Sequence, residues 1–434
     1  VGPTSRRLEG APGPEVAPQR PRFTRDPSLS IGARREDESR LVHGDNLEAM
    51  RELERAHGPR FRLAYLDPPF NTGRAFAQYD DARSREAWLA MMAPRVRAVR
   101  SLLRDDGAMA IEIDDTELGP LQVLCDEIFG SKSRVSTITV VRSAATGHKA
   151  QNAGPVHVSD FILLYAKDRA AFAPTRLFRA RAGADPAYRT FVVDRGAPVA
   201  SWQYVPLARA VARDAGFATA SAAKRSLGEV WAERVAAFAR AHAESVVRFA
   251  QVRFEAVSRA AQALVERSRR EPERTLVLER PGRPALVLRG GNRVLFLASK
   301  LRSLLPDGTL DPAEAAPRVV AEPLTNVWSD VPFQGLASEG GVAFSRNKKP
   351  ERLLERVLAL TTAPGDWVLD PFLGSGTTAA VAETMGRRWV GIEQGDHALS
   401  LALPRLARLA RGEDTTGLRR TRAYAGGGAF GVYR

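Results

Sequence analysis

Two stretches of this 434-residue chain hold residue types that can do chemistry. In LDPPFNTG, residues 66–73, the acid Asp67, the prolines Pro68 and Pro69 and the ring of Phe70 follow directly on the apolar run FRLAYL. The prolines fix φ and remove two N–H donors, so the carbonyls at this strand mouth are held with no competing amide. In VLDPFLGSGTT, residues 368–378, a strand runs into a Gly turn and then a helix. Gly374 and Gly376 permit positive φ and close ligand approach, and Ser375, Thr377 and Thr378 offer hydroxyls and amides at the helix start. The next strand, RWVGIE, ends on Glu393, 17 residues past Gly376. That is near the spacing of about 20 expected of a ribose-binding acid in a βαβ unit.

Three nucleotide chemistries compete for the Gly turn. A P-loop needs a Lys after the last glycine, and Thr377 stands there. A dinucleotide site wants GxGxxG, which DPFLGSGTT does not supply. The reading that remains is S-adenosylmethionine, whose adenosine needs no pyrophosphate cradle and whose ribose hydroxyls suit Glu393. Six histidines show no metal-ligand spacing, and Cys125, inside the apolar pattern LQVLCDEIF, is expected to fill core. No metal is expected.

Taken together, LDPPF and VLDPFLGSGTT resemble the catalytic and cofactor motifs of the amino-group DNA methyltransferases, in the β-class order with a variable region between them. HGDNLEAM, WLAMMAPRVRAVRSLLRDDGAMAIEIDD and FSRNKKPERLLERVL are similar, more narrowly, to the Mod subunits of type III restriction-modification systems. The resemblance covers about residues 40–167 and 325–400. It implies a Rossmann-like methyltransferase sheet, transfer of a methyl group from S-adenosylmethionine, and double-stranded DNA as substrate. A restriction (nuclease or helicase) subunit and a second copy of the chain are further candidate partners. The chain is shorter than a full Mod subunit, which leaves a solitary enzyme open.

On that resemblance, Asp67 accepts one hydrogen of an exocyclic amine, the Pro68 carbonyl accepts the other, and an extruded base stacks on Phe70. The catalytic set is Asp67, Pro68, Pro69 and Phe70. An acid at the first position is typical of N6-adenine enzymes; N4-cytosine is the alternative, as is a subunit that mainly reads DNA. For the cofactor the resemblance implies Asp370, Phe372, Gly374, Ser375, Gly376, Thr377 and Glu393, with Asp45 and Asp67 near the adenine ring and methionine end. Ser345, Lys348, Lys349 and Pro350 match the segment that lines the methionine carboxylate.

The elements that must position these residues read as an α/β domain. From Ser39 to about Lys167, strands at 40–44, 61–66, 108–114, 135–141 and 160–167 alternate with helices at 45–58, 86–107 and 118–130. The pattern returns after residue 345 as a helix from Glu351, the strand WVLDPF, the helix GTTAAVAETMG and the strand RWVGIE. The simplest architecture is one doubly wound sheet built from both ends of the chain around an inserted domain. The expected segments are 1–38 as a disordered basic leader, 39–170 as the catalytic half, 171–325 as the insertion, 326–412 as the cofactor half and 413–434 as a tail. Within the insertion, residues 226–271 read as one long amphipathic helix or a helix pair, and TLVLERPGRPALVLRGGNRVLFLA as three strands turning at PGRP and GGN.

The formal charge is +14, and its distribution is more informative than its size. From Arg176 to Arg302 there are 24 Lys and Arg against 11 Asp and Glu, a net of +13. A basic middle third between two nearly neutral flanks asks for an acidic partner such as nucleic acid. Arg142 and His148, in the loop VVRSAATGHKAQN, could add strand contacts. No apolar run approaches the roughly 18 residues of a membrane span, and one cysteine fits a reducing cytosol, so a cytoplasmic setting is expected.

Overall fold

The computed structural model describes residues 22–73, 82–143, 154–333, 336–342 and 348–434. The chain divides into two compact units, Val1–Thr175 with Asn326–Arg434, and Arg176–Thr325. The second unit corresponds to the segment set between the two halves of the sheet, for which residues 171–325 were the expectation.

In the first unit the strands are β1 (Arg25–Ile31), β2 (Ser39–His43), β3 (Phe61–Leu66), β4 (Leu103–Ile113), β5 (Arg134–Val141), β6 (Ser159–Ala166), β7 (Val327–Trp328), β8 (Trp367–Asp370), β9 (Arg388–Glu393) and β10 (Phe430–Tyr433). They form one sheet in the order β1-β10-β2-β9-β8-β3-β4-β6-β5-β7. From β10 through β4 every neighbouring pair is parallel. The carboxyl ends of β2, β9, β8, β3 and β4 consequently lie along one edge, where the strand order switches between the two segments of the chain. β6 pairs antiparallel with both β4 and β5.

Helices α1 (Asn46–His57), α2 (Arg85–Leu102) and α3 (Leu118–Phe129) bury one sheet face with Met50, Trp88, Met92, Leu121 and Cys125 against Ala64, Leu66, Met109, Ile111 and Ile113. Strand residues alternate faces, so Tyr65 and Glu112 point to the other side. That side carries α4 (Glu351–Thr361), which meets β3 and β4, and α5 (Thr377–Thr384), which meets β8 and β9.

Three expectations need correction in this unit. Residues 25–31 of the expected leader form β1, antiparallel to β10, with Arg25 paired to buried Glu38 at 2.8 Å. The expected tail supplies β10 itself, parallel to β2, because FGVY offers an apolar partner strand. The helix read as 86–107 ends at Leu102, and residues 103–107 already belong to β4. Gly107 is not a helix stop but a close approach: a Cβ there would sit 2.7 Å from the Phe61 carbonyl, where the β3–β4 register shifts.

The second unit holds an antiparallel six-stranded sheet in the order Thr275–Arg280, Arg283–Arg289, Asn292–Phe296, Val246–Gln251, Thr190–Val192, Tyr204–Pro206. The three strands expected at its start are present with turns where PGRP and GGN stand. Of the two alternatives for residues 226–271, the single long helix is absent, and the helix pair is present with a strand between its members. Residues 226–271 break into the helices Val230–Ala241 and Arg259–Arg270 around the strand Val246–Gln251. The β-branched pair Val246 and Val247 pairs with two neighbouring strands and is fully buried, which outweighs the helical pattern. Among the described residues no helix is long and apolar enough to cross a membrane.

Candidate active site

Asp67 follows β3 directly, and the motif after it is braced from several sides. The Pro69 carbonyl accepts a hydrogen bond of 2.7 Å from the indole N–H of buried Trp88 on α2. Asn71 takes a left-handed conformation, φ +61°, and donates to Glu117 at 2.9 Å. The loop is thus held by residues that the sequence motif does not contain.

The nearest charge to Asp67 is the ammonium of Lys349, 3.1 Å from its Oδ1. The same ammonium lies 2.8 Å from Oε1 of Glu112 and 4.5 Å from the centroid of the Phe70 ring. Glu112 has no exposed side-chain surface, and its other oxygen accepts from the buried Tyr65 hydroxyl. Asp160, on β6, is also fully buried, with Arg142 Nε 3.0 Å from Oδ2. Burial raises the Asp67 pKa to about 7: Lys349 opposes the rise and Glu112 adds to it. Burial likewise raises Asp160 to about 7 against the pull of Lys349 and Arg142. Burial also works against the Lys349 charge, but Asp67, Glu112 and Asp160 together lift its pKa above the ordinary lysine value.

One step along the edge, Asp370 ends β8 almost fully buried, and its Oδ1 accepts the Phe372 N–H at 2.9 Å. Burial raises its pKa to about 7, with the Thr378 hydroxyl and the Phe372 amide acting in the opposite direction. The turn that follows needs its glycines. Gly374 and Gly376 have φ of +54° and +81°, and a Cβ on Gly376 would meet that of Ala402 at 3.3 Å. Glu393, at the end of β9, accepts from the Gly374 and Gly395 amides at 2.9 Å each and lies 3.3 Å from His397 Nε2. Burial would raise its pKa, but these three donors hold it below the usual glutamate value. The acid at the second strand and the Gly turn at the first therefore form one built unit, as an adenosine site requires.

Asp45 caps α1 through the amides of Leu47 and Glu48 and pairs with Arg95 at 3.0 Å. Its neighbour Asn46 donates to the Pro371 carbonyl at 2.7 Å, which fastens α1 to the Gly turn. Lys348 points its ammonium at the carbonyls of Leu336, Glu339 and Val342. Pro350 precedes α4 and fixes where Lys349 enters. Ser345 and His148 lie outside the described residues.

The structure thus gathers Asp67, Pro68, Pro69, Phe70, Lys349 and Pro350 at β3 and α4. It gathers Asp370, Phe372, Gly374, Ser375, Gly376, Thr377 and Glu393 at β8 and β9, with Asp45 tied to the latter through Asn46. Sequence reading missed Glu112, Asp160 and Tyr65, although an acid inside the apolar strand AMAIEID was a usable signal. It also missed Arg405. This guanidinium is fully buried, 2.7 Å from Glu351 and 2.9 Å from Thr377 Oγ1, and pins the start of α5.

The chain belongs to the DNA methylase family, which residues 61–404 match. It is 29% identical over 433 residues to the probable type III restriction-modification enzyme HindVI Mod subunit of Haemophilus influenzae, covering 94% of this chain and 56% of that protein. It is 30% identical over 159 residues to the EcoP15I Mod subunit of Escherichia coli, covering 30% of this chain and 24% of that one. The chain therefore spans about half or less of the length of these relatives. Among solved structures it resembles a DNA modification methylase from Thermus thermophilus complexed with S-adenosyl-L-methionine, at 15% identity and a TM-score of 0.39 over 91% of this chain and 99% of that one. It also resembles the cytosine-N4-specific PvuII DNA methyltransferase, at 12% identity and a TM-score of 0.39 over 85% of this chain and 86% of that one.

Proposed function

We propose that the chain is a DNA amino-methyltransferase that modifies the exocyclic N6 amine of adenine in duplex DNA. The observation that carries the reading is the placement of Asp67 and the Glu393-bound Gly turn on one sheet edge, β3 and β8 being parallel neighbours.

Bound S-adenosylmethionine supplies a methyl group on a sulfonium. Glu393 would take the ribose hydroxyls, Phe372 and the Gly374–Thr377 turn would enclose the adenosine, and Asp45 and Asp370 would border it. The donors that Glu393 collects keep it ionised, the form that accepts hydroxyls.

An adenine amine is a poor nucleophile because its lone pair is delocalised into the ring. Asp67 accepts one amine hydrogen and the Pro68 carbonyl accepts the other, which draws the nitrogen toward sp³ geometry. Trp88 holds the Pro69 end of the same loop, so the acceptor pair cannot swing away. Phe70 offers a face on which an extruded base stacks. The inserted unit, whose residues 176–302 carry a net charge of +13, supplies phosphate contacts that give affinity and arginines that can read guanine edges.

Adenine is favoured because the first residue of the motif is Asp67, and N4-cytosine is the second reading. The resemblance to Mod subunits supports a place in a restriction-modification system in the bacterial cytosol, with a nuclease or helicase partner. Incubation with labelled cofactor and plasmid DNA, followed by sequencing that detects methylated bases, tests base and site together. Transfer by the native chain and none by Asp67→Ala, with cofactor binding retained, is the expected result. Equal transfer by the variant overturns the assignment of Asp67, and a modified cytosine overturns the choice of adenine.

A further inference from the structure

The Lys349 ammonium sits in a pocket of acids, and its surroundings account for its donors. Asp67 and Glu112 take two of its directions at 3.1 and 2.8 Å, and the Phe70 ring covers the ammonium at 4.5 Å. An ammonium has three N–H donors, so a lysine engaged in this way has little left for a carboxylate arriving with a cofactor. Pro350, at the cap of α4, fixes the backbone from which the side chain reaches. A long cationic side chain is therefore aimed across β3 and β4 at two acids, and it is only 12% exposed.

We propose that Lys349 is a positioning residue of the methyl-transfer site, holding Asp67 ionised and aimed while it closes over Phe70. The inference rests on the reading of Asp67 as the amine acceptor. A carboxylate accepts an amine hydrogen more strongly than the neutral acid, whose own O–H competes as a donor. Asp67 stands beside Glu112, with Asp160 and Asp370 contributing like charge nearby. Without a cation at this point the balance at neutral pH would move further toward protonated Asp67. Arg142 also favours the charged form of Asp67, but more weakly than Lys349, because its guanidinium is paired with Asp160 and is 37% exposed. The Tyr65 hydroxyl donates to Glu112 and so keeps that acid turned toward Lys349.

The roles separate by the sign of a pH shift. Removal of the ammonium in Lys349→Met makes Asp67 harder to ionise, so the rising limb of kcat against pH moves upward. Removal of a like charge in Glu112→Gln makes Asp67 easier to ionise and moves the limb downward. A shift of one pH unit corresponds to about a tenfold loss of kcat below the limb in Lys349→Met. Activity recovers as the pH is raised, the affinity for S-adenosylmethionine stays near that of the native chain, and Lys349→Arg restores most of the limb's position.

A second readout needs no turnover. The Asp67 carboxyl carbon, assigned by its absence in Asp67→Asn, is titrated by carbon-13 NMR in the chain without DNA or cofactor. Its midpoint is expected to rise in Lys349→Met and to fall in Glu112→Gln. Equal kcat loss at every pH with an unmoved midpoint would assign Lys349 a purely structural role. A large loss of cofactor affinity with unchanged kcat would make it a cofactor ligand. Either result overturns the proposal. If Lys349→Met does not fold, Glu112→Gln decides by the direction of its shift. If the native chain transfers no methyl group to DNA, the reading of function falls, while the titration still decides whether Lys349 controls Asp67.

Discussion

The indole N–H of Trp88 and the carbonyl of Pro69 lie 2.7 Å apart, joining the buried face of the first turn of α2 to the second proline of the Asp-Pro-Pro-Phe loop. Two prolines in a row give the loop no amides of their own to anchor it. The anchor comes instead from a side chain 19 residues further along, packed at 1% exposure among Met92, Val96 and the strand residues.

Trp88→Phe keeps much of the ring's packing and deletes the donor. Leaving the Pro69 carbonyl unpaired costs about 1–3 kcal/mol, measurable as a lower urea midpoint at constant slope. The acceptor pair on the loop also loosens, so kcat is expected to fall while cofactor affinity holds. Unchanged stability and kcat would show that the prolines hold the loop without help.

Activity should also report the Asp67 charge directly. Its pKa lies near 7, raised by burial and by Glu112 against the pull of Lys349. Because the ionised form accepts the amine hydrogen, kcat/KM in the native chain is expected to rise with pH between about 6 and 8 and then level. Asp67→Asn removes the titrating group, so whatever residual transfer remains should lose this limb. An identical limb in Asp67→Asn would place the titration on another group.

Much of the sheet was legible in the chain because each strand is a short apolar run bounded by turn residues, and the Asp67 and Gly374–Gly376 segments announced themselves by type and spacing. Legibility failed where a long-range partner decides the outcome. Arg25–Ile31 has little strand character of its own and becomes a strand against Phe430–Tyr433. Val246–Gln251 looks helical until two strands flank it. In the site, the ion pair of Glu112 and Lys349 joins residues 237 apart, a distance that no local pattern spans.

Glu393 should prove to be a cofactor residue that also builds its own turn. Glu393→Ala removes the acceptor for the Gly374 and Gly395 amides and the partner of His397. Titration calorimetry is expected to show S-adenosylmethionine affinity weakened by about tenfold or more, because one charge-assisted interaction is worth roughly 1.5–3 kcal/mol. The effect should appear in the cofactor KM more than in kcat. Native affinity in the variant would remove Glu393 from the site.

The last test concerns Arg405 and Glu351, which meet at 2.7 Å with almost no solvent access. Glu351 opens α4 and Arg405 lies on α6 (Leu403–Arg411), so the pair ties together the helix behind Lys349 and the helix start at Thr377. Arg405→Met alone strands a buried carboxylate and is expected to cost about 3–5 kcal/mol. Arg405→Met with Glu351→Gln removes both charges and leaves an amide oxygen for the Leu418 N–H, which Glu351 now accepts at 2.8 Å. The double variant should therefore regain much of the stability lost by the single one, and a double-mutant cycle in urea measures the coupling directly. Additive losses would mean that the pair is not coupled and that the Gly turn is held by its backbone alone.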